Sequence, residues 1–146
     1  MKIFTIGFAG KPAETFFGLL GDNQIGRLVD VRLNPRGQLA GFAKQDDLAY
    51  FLRVLVSCEY HHLDFLAPSS DILKSYRQDK DWGRYMRRFE SLMDERDVLS
   101  RLDVVFFAER RCCLLCSEHE PDRCHRRLVV ERLARRWPAV EVVNLM

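Results

Sequence analysis

The chain has 146 residues, a formal net charge of +2 at pH 7, and is 47% hydrophobic and 30% charged. That length predicts one domain able to bury a core without cross-links, and so small a positive excess excludes nucleic-acid binding through overall basicity. The chain opens Met-Lys-Ile-Phe-Thr-Ile with no charged-then-apolar leader, has no apolar run near the roughly eighteen residues of a membrane span, and has an odd five cysteines, so a soluble cytoplasmic protein with free thiols and no membrane contact is expected.

Lys2 to Gly7 reads as a short buried strand, and Gly7 and Gly10 bracket a turn before Pro12, which suits the first position of a helix. That helix carries Phe16, Phe17, Leu19 and Leu20. After a turn at Asp22 and Asn23, Gly26 to Arg32 forms a second strand with a Leu-Val-Asp-Val core. Two strands joined by a helix of this length predict a right-handed parallel βαβ unit. Residues 33 to 45 hold two glycines and a proline without sustained period, which predicts a loop of the kind that often carries function. Asp46 is expected to cap a second helix with Leu48, Phe51, Leu52 and Leu55 on one face. A short third strand falls around Cys58 to His61.

Trp82, Tyr85, Met86, Phe89, Leu92 and Met93 recur at three and four, which predicts an amphipathic helix whose aromatic stripe is core. Val98, Leu102, Val105 and Phe106 continue the helical spacing, although Val104 to Ala108 alone would pass for a strand. Cys112 to Cys116 is the next strand, Asp122 to Trp137 the last helix, and Val140 to Leu145 the closing strand. The whole predicts an α/β fold, a single compact three-layer domain over residues 1–146 with a mainly parallel sheet flanked by helices.

In such a sheet the carboxyl ends of the strands bring Gly7 to Gly10, Asp30 to Arg36, and Cys116 to Glu118 to one edge, where open α/β sheets bind ligands. Asp30 and Arg32 share a face by the period of two, and the acid is able to hold the arginine in a fixed pose for a phosphate or carboxylate. The same pair would serve equally well to tie loop to strand. Arg36 continues this segment as a further anion-binding candidate.

At about 100° per residue, Val129, Val130, Leu133 and Trp137 share one face of the last helix, and Arg126 falls in the same sector in its first turn. Its side chain is therefore expected to point toward the sheet edge, beside free backbone N–H groups, as part of an anion site. His125 flanks that sector, and Cys124 falls roughly opposite unless it lies in the turn before the helix. A thiol at a helix start among arginines has a depressed pKa and gains nucleophilicity. Cys116, at a strand end, is the competing nucleophile, although a buried inert thiol is the ordinary state of strand cysteines, a reading that applies equally to Cys116 and more strongly to Cys112 and Cys113. Six arginines against Glu131 alone between Arg123 and Arg136 offer either a basic face for phosphates or a solvated helix surface.

A zinc site would need Cys116, Cys124 and His125 to join Cys58, His61, His62 or His119. Neighbouring Cys124 and His125 point in different directions from a helix, so no metal is expected, and nothing calls for a cofactor.

Thr5-Ile6-Gly7, then Leu28-Val29-Asp30-Val31-Arg32 with Pro35, Tyr85-Met86, and Leu114-Leu115-Cys116-Ser117-Glu118 followed by Pro121 and Cys124-His125-Arg126, run through the whole chain. In these the chain resembles the bacterial and archaeal family called domain of unknown function 488. The resemblance implies a compact α/β domain and brings no established reaction. The family usually continues Thr-Ile-Gly with His-Ser, where this chain has Phe8-Ala9, so any proton transfer or phosphate contact by that pair is lost here. Its Leu-Gly-Gly turn after the third strand is met only by Leu66-Ala67-Pro68. Together the two departures imply a divergent member with altered or reduced activity. A strand reading Leu-Val-Asp-Val-Arg before a cysteine loop is also similar to rhodanese-type sulfurtransferases, but Ser117 to Arg123 has no glycine and carries Glu118, Glu120 and Asp122, which would repel a thiolate.

The expected function is a small enzyme-like domain binding a phosphate-bearing substrate, a nucleotide or nucleic-acid fragment, at the edge formed by Asp30, Arg32, Cys116, Glu118, His125 and Arg126. Arg32 and Arg126 would bind the anion, Glu118 or His125 transfer a proton, and Cys116 or Cys124 act as nucleophile. The alternatives are a non-catalytic module that meets a protein or nucleic acid, and sulfurtransferase-like thiol chemistry.

Overall fold

The computed structural model describes residues 1–36 and 41–146, and residues 37–40 of the predicted loop lie outside the described set. Five strands, β1 (Lys2–Gly7), β2 (Arg27–Asp30), β3 (Glu59–His62), β4 (Cys112–Cys116) and β5 (Glu141–Leu145), form one sheet in the order β3-β2-β4-β1-β5. Every pairing is parallel. The helices are α1 (Ala13–Asp22), α2 (Gln45–Val56), α3 (Ser70–Asp79), α4 (Trp82–Arg96), α5 (Val104–Glu109) and α6 (His125–Arg136), with 3-10 turns at Asp64–Leu66 and Val98–Arg101.

Alternation along the strands divides the core into two layers. Phe4, Ile6, Leu28, Cys113 and Leu115 face one side, where they pack with Phe16, Phe17 and Leu20 of α1 and Leu48 and Leu52 of α2. Ile3, Val29, Cys112, Leu114 and Cys116 face the other, against Phe89 and Met93 of α4 and Leu128, Val129 and Leu133 of α6. Each of these fully buried aliphatic side chains contributes about 1.5–3 kcal/mol by leaving water. This is the predicted three-layer α/β domain.

Strand order fixes where a ligand crevice belongs. The connection from β1 runs through α1 to β2 on one side, and the connection from β4 runs through α6 to β5 on the other. Neighbouring strands whose chains leave in opposite directions open a crevice at their carboxyl ends. β4 sends its chain to the face of α6 while both its neighbours, β1 and β2, send theirs to the face of α1 and α2, and Gly7 stands in register with Cys116 at the β1 side of the opening.

Several boundaries correct the sequence reading. β2 ends at Asp30, although Val31 N–H still donates to the Leu115 carbonyl at 3.1 Å. α2 begins at Gln45, so Asp46 sits in its first turn and does not cap it. The run from Val98 to Phe106 is broken into a 3-10 turn and a separate helix, α5, capped by the Asp103 side chain on the Val105 N–H. α6 starts at His125, later than Asp122, with Cys124 at its cap position in extended conformation. α3 has no counterpart in the prediction. It is a polar helix capped by the Ser69 hydroxyl, with Ile72 as its buried residue. No helix among the described residues is long and apolar enough to cross a membrane.

Candidate functional site

β1 ends at Gly7 because the turn after β4 passes directly over it. A β-carbon at this position would overlap the Glu118 carbonyl and stand 2.6 Å from Arg126 Nη1. Only glycine admits so close an approach. Two residues on, Ala9 N–H donates to the Ser117 carbonyl at 2.9 Å and clips the loops after β1 and β4 together.

Arg126 lies beneath this crossing. It is fully buried, as its place in the apolar sector of α6 predicts. Nη1 donates to the Glu118 carbonyl and, at 3.2 Å, to Cys116 Sγ, while Nη2 donates to the His119 carbonyl at 3.0 Å. Nε has no hydrogen-bond partner among the described residues. Burial pulls the Arg126 pKa down, and the Glu118 and Glu120 carboxylates act against that. Its direct partners are two carbonyls and a sulfur, with no carboxylate among them.

Lys11 is a functional candidate that sequence reasoning missed. It is 7% exposed, donates to the Gly7 carbonyl at 2.8 Å, and meets His119 Nδ1 at 3.1 Å. Burial and the nearby Arg126 charge lower its pKa. Between Gly10 and Pro12 no periodicity marks it out. Two cations thus converge on one crevice, Lys11 from the β1 loop and Arg126 from α6.

Cys116 ends β4 on the face of α6, and the intervening turn brings Cys124 back onto it so that the two sulfurs are joined. This corrects the expectation of free thiols for these two. Cys58, Cys112 and Cys113 are free and buried. Cys113 and Cys116 stand in Cys-x-x-Cys spacing, but their odd separation on a strand sends them to opposite faces. The Cα atoms of Cys116 and Cys124 lie 7.6 Å apart.

His125 turns inward beside them, 8% exposed, with Nε2 donating to the Val31 carbonyl at 2.6 Å and the ring edge-on to Phe89. A carbonyl only accepts, so Nε2 carries the hydrogen and Nδ1 the lone pair. Burial drives the His125 pKa down to about 4, so the ring is neutral at pH 7. The ligand atoms of Cys116, Cys124 and His125 all lie within 4.8 Å of one another. The prediction that neighbouring Cys124 and His125 point apart fails because Cys124 is not helical: its φ of −132° and ψ of 141° turn its side chain back toward the strand end.

The Asp30–Arg32 pair forms as the strand period predicts. Arg32 donates to Asp30 through its backbone N–H at 3.1 Å, Nε at 2.9 Å and Nη2 at 2.7 Å. Tyr60 adds its hydroxyl to Asp30 Oδ2 at 2.5 Å. Asp30 is fully buried and Arg32 is 8% exposed, with the Phe8 ring 5.4 Å from its guanidinium. Phe8 therefore packs on the arginine fork. Arg36 is exposed, with Nε on Gln45 Oε1 at 2.9 Å.

Glu118 enters the cluster through its carbonyl, and its side chain is exposed. The structure thus gathers Cys116, Cys124, His125 and Arg126 into one cluster, holds Asp30 and Arg32 together at the next strand end, and leaves Glu118 and Arg36 on the rim. Two open grooves of about 370 Å³ lie away from this edge, one between α1 and α2 and one between α3 and α4.

A family model described as domain of unknown function DUF488 matches residues 12–133. No curated protein and no solved structure matches the chain. The matched span contains Asp30, Arg32, both joined cysteines, His125 and Arg126.

Proposed function

We propose that this chain, which belongs to the DUF488 family, is a thiol-dependent enzyme-like domain in which Cys116 and Cys124 carry out thiol–disulfide exchange. The observation that carries this reading is the buried Arg126 guanidinium donating to Cys116 Sγ at 3.2 Å while Cys124 is joined to the same sulfur. A fully buried guanidinium without a carboxylate calls for a counter-charge, and the Cys116 thiolate supplies one.

With the pair reduced, the Cys116 thiolate attacks one sulfur of a substrate disulfide. The substrate S–S bond breaks, and its far sulfur leaves as a thiolate. The Cys124 thiolate then attacks Cys116 Sγ, closes the bond between the two cysteines, and releases the second substrate thiol. Two electrons pass from the pair to the substrate. His125, with Nε2 held by Val31, positions the start of α6 and takes no proton at that nitrogen.

Phosphate binding by Arg32 and Arg126 has less support, because Asp30 and the carbonyls of Glu118 and His119 already hold those guanidiniums. A phosphate-bearing substrate enters this reading at the rim, where Arg36 and Arg123 are exposed.

The test mixes reduced protein with glutathione disulfide and maps the products. The reading expects one Cys116–Cys124 bond for every two thiols released, a stalled mixed disulfide on Cys116 in Cys124→Ser, and no reaction in Cys116→Ser. Exchange at a rate no different from that of Cys58, Cys112 and Cys113 overturns it.

A further inference from the structure

We propose that the reduced Cys116–Cys124 pair, together with His125, binds one thiophilic divalent metal ion of the zinc class and leaves a fourth coordination position open. This rests on the reading above that the pair is reducible to a dithiol.

Three observations point to the ion. The two sulfurs and the ligand nitrogen of His125 lie within 4.8 Å of one another, with all three residues buried. Tetrahedral zinc, with Zn–S of about 2.3 Å and Zn–N of about 2.0 Å, holds its ligand atoms roughly 3.5–3.8 Å apart. Reduction of the Cys116–Cys124 bond frees the two sulfurs to separate to that spacing. Second, the Cα atoms of Cys116 and Cys124 are 7.6 Å apart, so the reduced pair has room for an ion between its two sulfurs. Two thiolates that share an ion bridge that distance with the ion between them.

Third, the surroundings are those of ligands already oriented. His125 Nε2 donates to the Val31 carbonyl at 2.6 Å, which fixes the ring and leaves Nδ1 as the lone pair. Ligand histidines ordinarily donate their second nitrogen in this way. Arg126 Nη1 donates to Cys116 Sγ at 3.2 Å, an N–H on the sulfur that withdraws charge from a coordinated thiolate. Two thiolates offset the charge of a divalent ion, and sulfur donors select the zinc class over magnesium or calcium.

Three protein ligands leave one position for water or a substrate atom, which is the donor count of catalytic rather than structural zinc sites. Cys58, Cys112 and Cys113 stand outside the cluster among the described residues.

The experiment titrates the reduced, oxygen-free protein with Co2+ and then Zn2+. The expected result is one Co2+ per chain, with a sulfur-to-cobalt charge-transfer band, tetrahedral d–d bands, and displacement by one equivalent of Zn2+. In the wild-type chain Zn2+ slows alkylation of Cys116 and Cys124 by about tenfold or more while leaving the other three thiols unchanged. His125→Gln weakens binding by at least about tenfold. A reduced protein that shows no charge-transfer band, or whose alkylation rates ignore Zn2+, overturns the metal site. Glutathione-disulfide exchange by the same metal-free sample separates the two ideas. Exchange without metal binding sinks only the site, and metal binding without exchange sinks only the enzyme reading.

Discussion

Gly7 and the Glu118 carbonyl approach so closely that no β-carbon fits between them. The glycine lets the turn after β4 close over β1 and so sets the height at which Arg126 meets its two carbonyls. Gly7→Ala is expected to destabilise the fold by about 1–3 kcal/mol through overpacking and to displace Arg126. Gly18, exposed in α1 with nothing within 4 Å of its would-be β-carbon, is the control. Gly18→Ala should stabilise by about 0.5–1 kcal/mol through helix propensity. Urea unfolding of both variants measures the contrast, and equal effects would remove the steric role assigned to Gly7.

Arg126→Lys keeps the charge and loses the planar fork. An ammonium cannot reach Cys116 Sγ and the carbonyls of Glu118 and His119 in the same geometry. In the reduced protein Cys116 should alkylate about tenfold more slowly at pH 7, because less of it is thiolate. Stability should fall by about 1–3 kcal/mol from the buried polar groups left unpaired. A fall in stability with an unchanged Cys116 rate would leave Arg126 as a structural strut alone.

Asp30 anchors a buried ion pair with Arg32, as the strand period predicts. It accepts from Arg32 three times and from the Tyr60 hydroxyl once. Asp30→Asn leaves Arg32 buried without its counter-charge and should cost about 3–5 kcal/mol. Tyr60→Phe removes one bond to the same oxygen, so the double variant should lose less than the sum of the singles. Strict additivity in thermal and urea unfolding would show that the tyrosine acts independently of the pair.

These residues also show what the sequence made legible. Runs such as Leu28-Val29-Asp30-Val31 and Cys112 to Cys116 announce buried parallel strands because both faces are covered. Arg126 was placed inward by helical angle alone, and Asp30 with Arg32 by the period of two. α3 escaped notice because apolar contacts beyond Ile72, Leu73 and Tyr76 are few in a polar segment. The joining of Cys116 to Cys124 was hidden for a different reason. It depends on the path of the turn between them, where no period operates, and on one residue of helix start: counted as helical, Cys124 points away, and as the cap residue it faces Cys116. Tyr60 is drawn in by the pairing of β3 with β2, and Lys11 meets His119 because β1 lies beside β4, and local pattern does not report strand order.

The remaining thiols give the pH prediction. Burial pushes the Cys58 and Cys112 thiols up to about 12, and pushes Cys113 well above its ordinary value. At pH 8.5 less than about one in a thousand of the first two is thiolate in the folded chain, whereas about half would be in the unfolded chain. Alkylation of the native protein should therefore spare all three until global opening. From about pH 8.5 toward 12 the unfolded chain releases thiol protons that the folded chain retains, so stability falls as pH rises through that window and is unaffected by these groups below it. Mass-mapped labelling at pH 7, 8.5 and 10, with and without urea, checks the order. Rapid native labelling of Cys113 at pH 8.5 would contradict its place in the closed layer beneath α1 and α2.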